Sequence, residues 1–248
     1  MSVLKRRSNN IKDGQYVIAF SDSRALIDIS KDCGMTWTRR QPSDLPNVNE
    51  YFFSNDRTRI AMSGDGRHIY CSCYMANVGL LRSTDFLETA EPFKPDNCYS
   101  VYSIACNGRG NLVAIVCKNN NNKYDLMLSG DYGKTWTKIT DSSFSARTLA
   151  ISYDGKYMVI EGGYSYSGAR ISADYGKTWA LKHSVIGNSF ALGLSSDGKY
   201  AIAQESSSPY RMFKSSDYLG SFTEINTAPL TSGIRANYRF IIMNKNRL

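Results

Sequence analysis

An all-β chain, built from repeats of a four-stranded antiparallel unit, is predicted by three observations. A segment of the form Ser-x-Asp-x-Gly-x-Thr-Trp recurs along the 248 residues. An Asp-Gly pair ahead of an apolar run recurs in phase with it. Each interval between them holds short apolar runs of strand length rather than one long helical period.

Ser30-Lys-Asp32-Cys-Gly34-Met-Thr36-Trp37 is repeated as Ser129-Gly-Asp131-Tyr-Gly133-Lys-Thr135-Trp136 and again as Ser172-Ala-Asp174-Tyr-Gly176-Lys-Thr178-Trp179. Two worn copies begin at Ser83-Thr-Asp85-Phe86 and Ser215-Ser-Asp217-Tyr-Leu219-Gly220-Ser221-Phe222. Asp13-Gly14, Asp65-Gly66, Asp154-Gly155 and Asp197-Gly198 each stand 19 or 20 residues ahead of a boxed aspartate, and Asn107-Gly108 serves in the third unit. Two separate motifs holding one phase make chance similarity untenable.

The unit from Arg147 shows the strand order. Arg147–Ser152 is a first strand and Tyr153-Asp154-Gly155 a tight hairpin turn of the Asp-Gly kind. Lys156–Glu161 is the second strand, Ala169–Ser172 the third and Trp179–Lys182 the fourth. The box is the turn between strands three and four. A four-stranded unit recurring every 43 to 53 residues is the sequence form of a β-propeller blade.

These boxes resemble the Asp-box, or BNR repeat, of sialidase-like β-propellers. The resemblance implies that Asp32, Asp131 and Asp174, and in the worn copies Asp85 and Asp217, accept hydrogen bonds within their own turns. It also implies that glycine permits the bend and that Trp37, Trp136 and Trp179 pack between strands. In the worn boxes Phe86 is out of register with the aromatic and Leu219 displaces the glycine. The implied role is structural, since the family's active site lies on the opposite face.

Residues 1–248 are expected to form one domain of five blades. The C-terminal run Arg239-Phe-Ile-Ile-Met243-Asn244 reads like the first strand Arg59-Ile-Ala-Met62-Ser63, so it is expected to complete blade one beside the N-terminal strands and close the ring. The alternative takes Val3–Arg7 as that strand and lets the C-terminal segment begin a sixth blade.

The net charge of +8 is entirely terminal. Lys5, Arg6, Arg7 and Lys12 open the chain, and Arg235, Arg239, Lys245 and Arg247 close it, with no acid among either set. If the two ends meet they form one patch, suited to an acidic protein or nucleic-acid backbone; otherwise they are solvated tails. Sequence-specific nucleic-acid binding is not expected, since no known reading motif occurs. No apolar run approaches the ~18 residues of a membrane span, and no signal peptide is visible. Of the six cysteines, Cys71 and Cys73 alternate on one strand; without paired zinc spacings no metal or cofactor is expected. Buried free thiols fit a reducing compartment or a virion assembled in the cytoplasm, while the even count leaves disulfides open.

Sialidases hold a carboxylate with three arginines and use a Tyr–Glu nucleophile pair, with an Arg-Ile-Pro signature on an early strand. Arg59-Ile60-Ala61 is the nearest match here. Glu161 and Glu205 end second strands in adjacent units near Tyr164, Tyr166 and Tyr210, where they read either as polar strand caps or as a glycosidase's carboxylate pair. No catalytic residue is assigned. The links between strands two and three carry Tyr74, Tyr124, Tyr164, Tyr166 and Tyr210, and tyrosine beside Asn and Ser suits a protein or glycan surface. Three functions follow: a non-catalytic recognition or assembly module, a sialidase-type glycoside hydrolase, or a structural component of a phage or virus particle.

Overall fold

The computed structural model describes residues 5–6, 15–21, 26–45, 59–72, 79–139, 146–162, 169–182, 189–205 and 211–225. These residues form five antiparallel sheets of four strands each, every sheet a meander in chain order. The first holds β1 (Lys5–Arg6), β2 (Val17–Ser21), β3 (Leu26–Ser30) and β4 (Thr38–Arg40). The second holds β5 (Arg59–Met62), β6 (Ile69–Ser72), β7 (Leu80–Ser83) and β8 (Glu91–Phe93). In the third are β9 (Ser100–Cys106), β10 (Val113–Lys118), β11 (Tyr124–Ser129) and β12 (Thr137–Ile139). The fourth comprises β13 (Ala146–Ile151), β14 (Met158–Gly162), β15 (Ala169–Ser172) and β16 (Ala180–Lys182). The fifth comprises β17 (Ser189–Leu194), β18 (Ala201–Glu205), β19 (Met212–Ser215) and β20 (Thr223–Ile225).

The strands follow the expected boundaries because each sheet is buried on both faces along its inner strands and open at its outer one. β10 is buried over nearly its whole length, whereas β4, β8, β12 and β20 each have two exposed residues followed by a half-buried one. Apolar side chains therefore form layers between successive sheets. Ile18, Ile27 and Ile29 of the first sheet meet Ile60, Ile69 and Leu81 of the second. Tyr70 and Leu80 meet Val113, Ile115 and Met127. Ala114, Val116 and Leu126 meet Leu149, Met158 and Ile160. Val159 and Ile171 meet Leu192, Ala201 and Ala203. The first strands also pack on one another in series, β5 on β9, β9 on β13 and β13 on β17.

Two expectations are corrected. The place assigned to the C-terminal strand in the first sheet is taken by β1, with Lys5 opposite Phe20 and Arg6 opposite Ala19. A partner a few residues upstream costs less closure entropy than one at the far end of the chain. A closed ring is not traced among the described residues. On the side of the first sheet that faces away from the second, Ala19, Asp28, Trp37 and Arg39 line an open groove. The alternative's use of Val3–Arg7 as that strand agrees with β1, while Arg239–Asn244, and with it a sixth blade, lies outside the described residues.

The second correction concerns the turn between strands one and two, which is longer than a two-residue hairpin. Gly155 N–H donates to the Ser152 carbonyl at 3.0 Å, and Ser152 N–H to the Tyr157 carbonyl at 2.8 Å. The four residues between form a simple β-turn followed by one left-handed glycine, Gly155 at φ +87°.

Candidate functional site

The end of each sheet carrying the one–two turn and the box is built from short polar side chains. In the third sheet Ser129 Oγ donates to Asp131 Oδ1 at 2.8 Å and accepts from Gly133 N–H at 2.8 Å. Asp131 in turn accepts from Thr135 N–H at 2.9 Å and from Thr135 Oγ1 at 2.6 Å. The same set recurs around Asp32 and Asp174. The worn boxes keep it too: Asp85 accepts from Thr89 N–H at 2.9 Å, and Asp217 from Ser221 N–H at 2.9 Å. All five aspartates accept hydrogen bonds from their own turns.

These bonds stabilise the ionised carboxylate. The Thr36 hydroxyl and N–H hold Asp32 down at about 2, Thr135 does the same for Asp131, and Ser221 for Asp217. Asp174 is lowered through Thr178. At Asp85 partial burial pushes upward, and the Thr89 bonds outweigh it.

The box backbone enters the left-handed region at two consecutive residues, as at Tyr132 (φ 64°) and Gly133 (φ 77°). In the worn boxes the second of these is Leu87 (φ 61°) or Leu219 (φ 68°), and both leucines are fully buried. The box tryptophans pack between sheets rather than only between strands. Trp136 stacks on Phe93 of the preceding sheet with ring centroids 5.9 Å apart, and Trp179 joins the layer between the third and fourth sheets. Trp37, on the open groove, is 39% exposed.

A further regularity has no single-motif signal in the sequence. Tyr16, His68 and Tyr157, which close one–two turns, each lie against the next sheet's turn glycine and its box. Tyr16 lies tilted against Phe86, His68 against Tyr132 and Tyr157 against Tyr218, with centroids 5.2, 4.6 and 5.1 Å apart. Backbone bonds run the same way: Gly64 N–H to the Gly108 carbonyl, Gly108 N–H to that of Tyr153, and Tyr153 N–H to that of Ser196, at 2.7–2.8 Å. Phe86, out of register with the tryptophans, thus occupies the place that Tyr132, Tyr175 and Tyr218 hold in their boxes.

The opposite end carries the two–three and four–one links, of which the described residues include 94–99 and 119–123. In the third sheet Asn119 Oδ1 accepts from the Asn121 and Lys123 N–H groups at 2.9 and 3.0 Å, folding the link on itself. Tyr124 leaves that link edge-on to Tyr102 at 5.1 Å, with Lys118 Nζ 5.8 Å from its ring centre. Tyr124 is therefore half-buried and packed. Tyr99, on the four–one link, is the more open ring at 46% exposure. Sequence reasoning passed over it because nothing in the flanking residues sets it apart.

Glu161 is buried, opposite Thr148 on β13 and Ala169 on β15. The residue of the fifth sheet in the same register, six places after the turn glycine, is Gln204, opposite Met212. Glu205 falls one place further on, so the two glutamates are not register partners. Tyr74, Tyr164, Tyr166 and Tyr210 lie outside the described residues. Lys5 and Arg6 belong to β1, whereas Arg7, Lys12, Arg235, Arg239, Lys245 and Arg247 also lie outside them. No three metal-ligating side chains cluster among the described residues.

No protein-family model matches the sequence, and no curated protein matches it. Solved structures do. A GH74 enzyme from Niastella koreensis is 15% identical with a TM-score of 0.61, over 89% of this chain and 38% of its own. A putative TolB from Agrobacterium tumefaciens is 13% identical with a TM-score of 0.65, over 90% of this chain and 80% of its own. YCF48 from Cyanidioschyzon merolae is 14% identical with a TM-score of 0.59, over 92% of this chain and 73% of its own. The chain spans only 32–39% of the GH74 structures. These are β-propeller proteins, and the five four-stranded sheets share that fold.

Proposed function

We propose that the chain is a non-catalytic recognition or assembly module of propeller type, which binds a protein or glycan through its two–three and four–one links. The observation that carries this is the contrast between the two ends. At the box end the carboxylates of Asp32, Asp65, Asp85, Asp131, Asp154, Asp174, Asp197 and Asp217 all accept hydrogen bonds from their own turns. That chemistry is spent on holding the fold. At the other end the links differ in sequence from unit to unit, and the described ones carry Tyr99, Asn119 and Lys123. Shared fold alone assigns no activity, so the GH74 likeness does not make this chain a hydrolase. The register of Glu161 with Gln204 favours binding over a two-carboxylate mechanism.

The test is an array of defined glycans probed with the purified chain, followed by Tyr99→Ala and Tyr124→Ala. On a bound glycan each substitution should weaken binding at least about tenfold, the loss of one well-placed aromatic contact. Asp131→Asn, assayed below its melting temperature, should leave binding unchanged. Loss of binding in Asp131→Asn with both tyrosines silent refutes the assignment of the face.

A further inference from the structure

We propose that Cys98 and Cys117 form a two-electron redox site, a dithiol that closes to a disulfide and staples the link before β9 to β10. Both side chains are buried, at 3% and 1% exposure, in the layer between the second and third sheets. Their thiols are hydrogen-bonded to each other, and both are free in the structure. Backbone contacts hold them there independently. Tyr99 N–H donates to the Lys118 carbonyl at 2.6 Å, joining the residues next to the two cysteines. Cys98 N–H donates to the Pro95 carbonyl at 3.2 Å, turning the link inward. A bulge between Val116 and Cys117 shifts the register, so that Cys117 stands opposite Val101 instead of Tyr102. Such a shift re-aims a side chain.

The surroundings make the pair slow rather than inert. The bond to Cys98, burial and the nearby Asp125 all hold the Cys117 thiol far above the ordinary range, and only Lys138 opposes them. Asp125 lies opposite Cys117, and its carboxylate is held by Lys138 Nζ at 2.8 Å and Asn119 Nδ2 at 3.0 Å. Oxidation therefore proceeds when the link opens and a thiolate forms.

With hydrogen peroxide as oxidant, that thiolate attacks one peroxide oxygen, the O–O bond breaks, and sulfenic acid and hydroxide result, the hydroxide becoming water with the proton that the thiol released. The second sulfur then attacks the sulfenic sulfur, the S–O bond breaks, and a second water leaves with the remaining proton. The two thiols lose two electrons and the peroxide gains them. The product pins the segment carrying Tyr99, so the redox state sets the freedom of one link on the proposed binding end.

The experiment treats the folded full-length chain with hydrogen peroxide over hours, alkylates the remaining thiols, and maps a non-reducing digest by mass spectrometry. The expected result is a peptide pair linked through Cys98 and Cys117, reversed by dithiothreitol. The melting temperature should rise by roughly 5–10 °C, as closure of a loop of this length predicts. Cys117→Ala and Cys98→Ala should each abolish both changes, and the mapping of the unaltered chain stands even if a variant folds poorly. Recovery of Cys98 and Cys117 as alkylated thiols, or their capture by other cysteines, overturns the proposal.

Discussion

The ring of Tyr157, at the end of the fourth sheet's first turn, lies 5.1 Å from that of Tyr218 in the fifth sheet's box, above the backbone of Gly198. One side chain thus ties two sheets together over a glycine where an added Cβ would be both crowded and strained. A Cβ built on Gly198 falls 2.3 Å from Tyr157 Cδ2, and the residue is at φ +75°.

Gly198→Ala should therefore combine a left-handed penalty of ~1–2 kcal/mol with an overpacking cost of ~1–3 kcal/mol. In the double variant with Tyr157→Ala the ring atoms at 2.3 and 2.7 Å are gone and only Cβ, at 2.8 Å, stays, so most of the clash is relieved beside an unchanged backbone penalty. Chemical denaturation should show a double loss smaller than the sum of the two single losses. Strict additivity would mean that Tyr157 and Gly198 do not interact.

Leu87 sets two effects against each other. Glycine would relieve ~1–2 kcal/mol of left-handed strain, yet deleting a fully buried leucine side chain costs ~2–5 kcal/mol. Burial wins, and Leu87→Gly should destabilise the fold by roughly 1–3 kcal/mol. A higher denaturation midpoint in the variant would show that strain dominates there.

Asp131→Ala removes the acceptor of the Thr135 hydroxyl and N–H, at a cost of roughly 1 kcal/mol because solvent takes up part of the loss. The pH dependence follows from the same bonds. The carboxylate is depressed from 3.8 to about 2, so its contribution is present above pH 4 and is lost as pH falls toward 2. Asp32 and Asp217 behave alike. Melting curves from pH 5 to 2 should show stability falling through that window, less steeply in Asp131→Ala. An unchanged slope in the variant would contradict the linkage.

A fluorogenic sialoside should not be hydrolysed by the purified chain. Turnover abolished by Glu161→Gln or Glu205→Gln would reverse the non-catalytic reading.

Much of the fold was legible because its signals are local. Ser129, Asp131 and Thr135 lie within seven residues and satisfy one another wherever the chain places them, so their spacing announces the turn. Asp85 and Asp217 show the limit of reading by motif. Their boxes look eroded, yet the hydrogen bonds persist, because Leu87 and Leu219 are buried deeply enough to offset a backbone that glycine would adopt freely. The candidate site was less legible: Tyr99 and the Cys98–Cys117 contact depend on where a link folds back, and no spacing encodes that.

The sequence by itself determined the repeat, its phase and the succession of four strands with a boxed turn between the third and fourth. These follow from alternation along strands and from hydrogen bonds spanning a few residues. Only the tertiary structure decided that β1 rather than the C-terminal run lies beside β2. Only it, too, brought Tyr157 onto Tyr218. Those outcomes turn on which faces of separate sheets meet. A one-residue shift in register reverses a side chain's direction, so they are settled by packing over the whole layer.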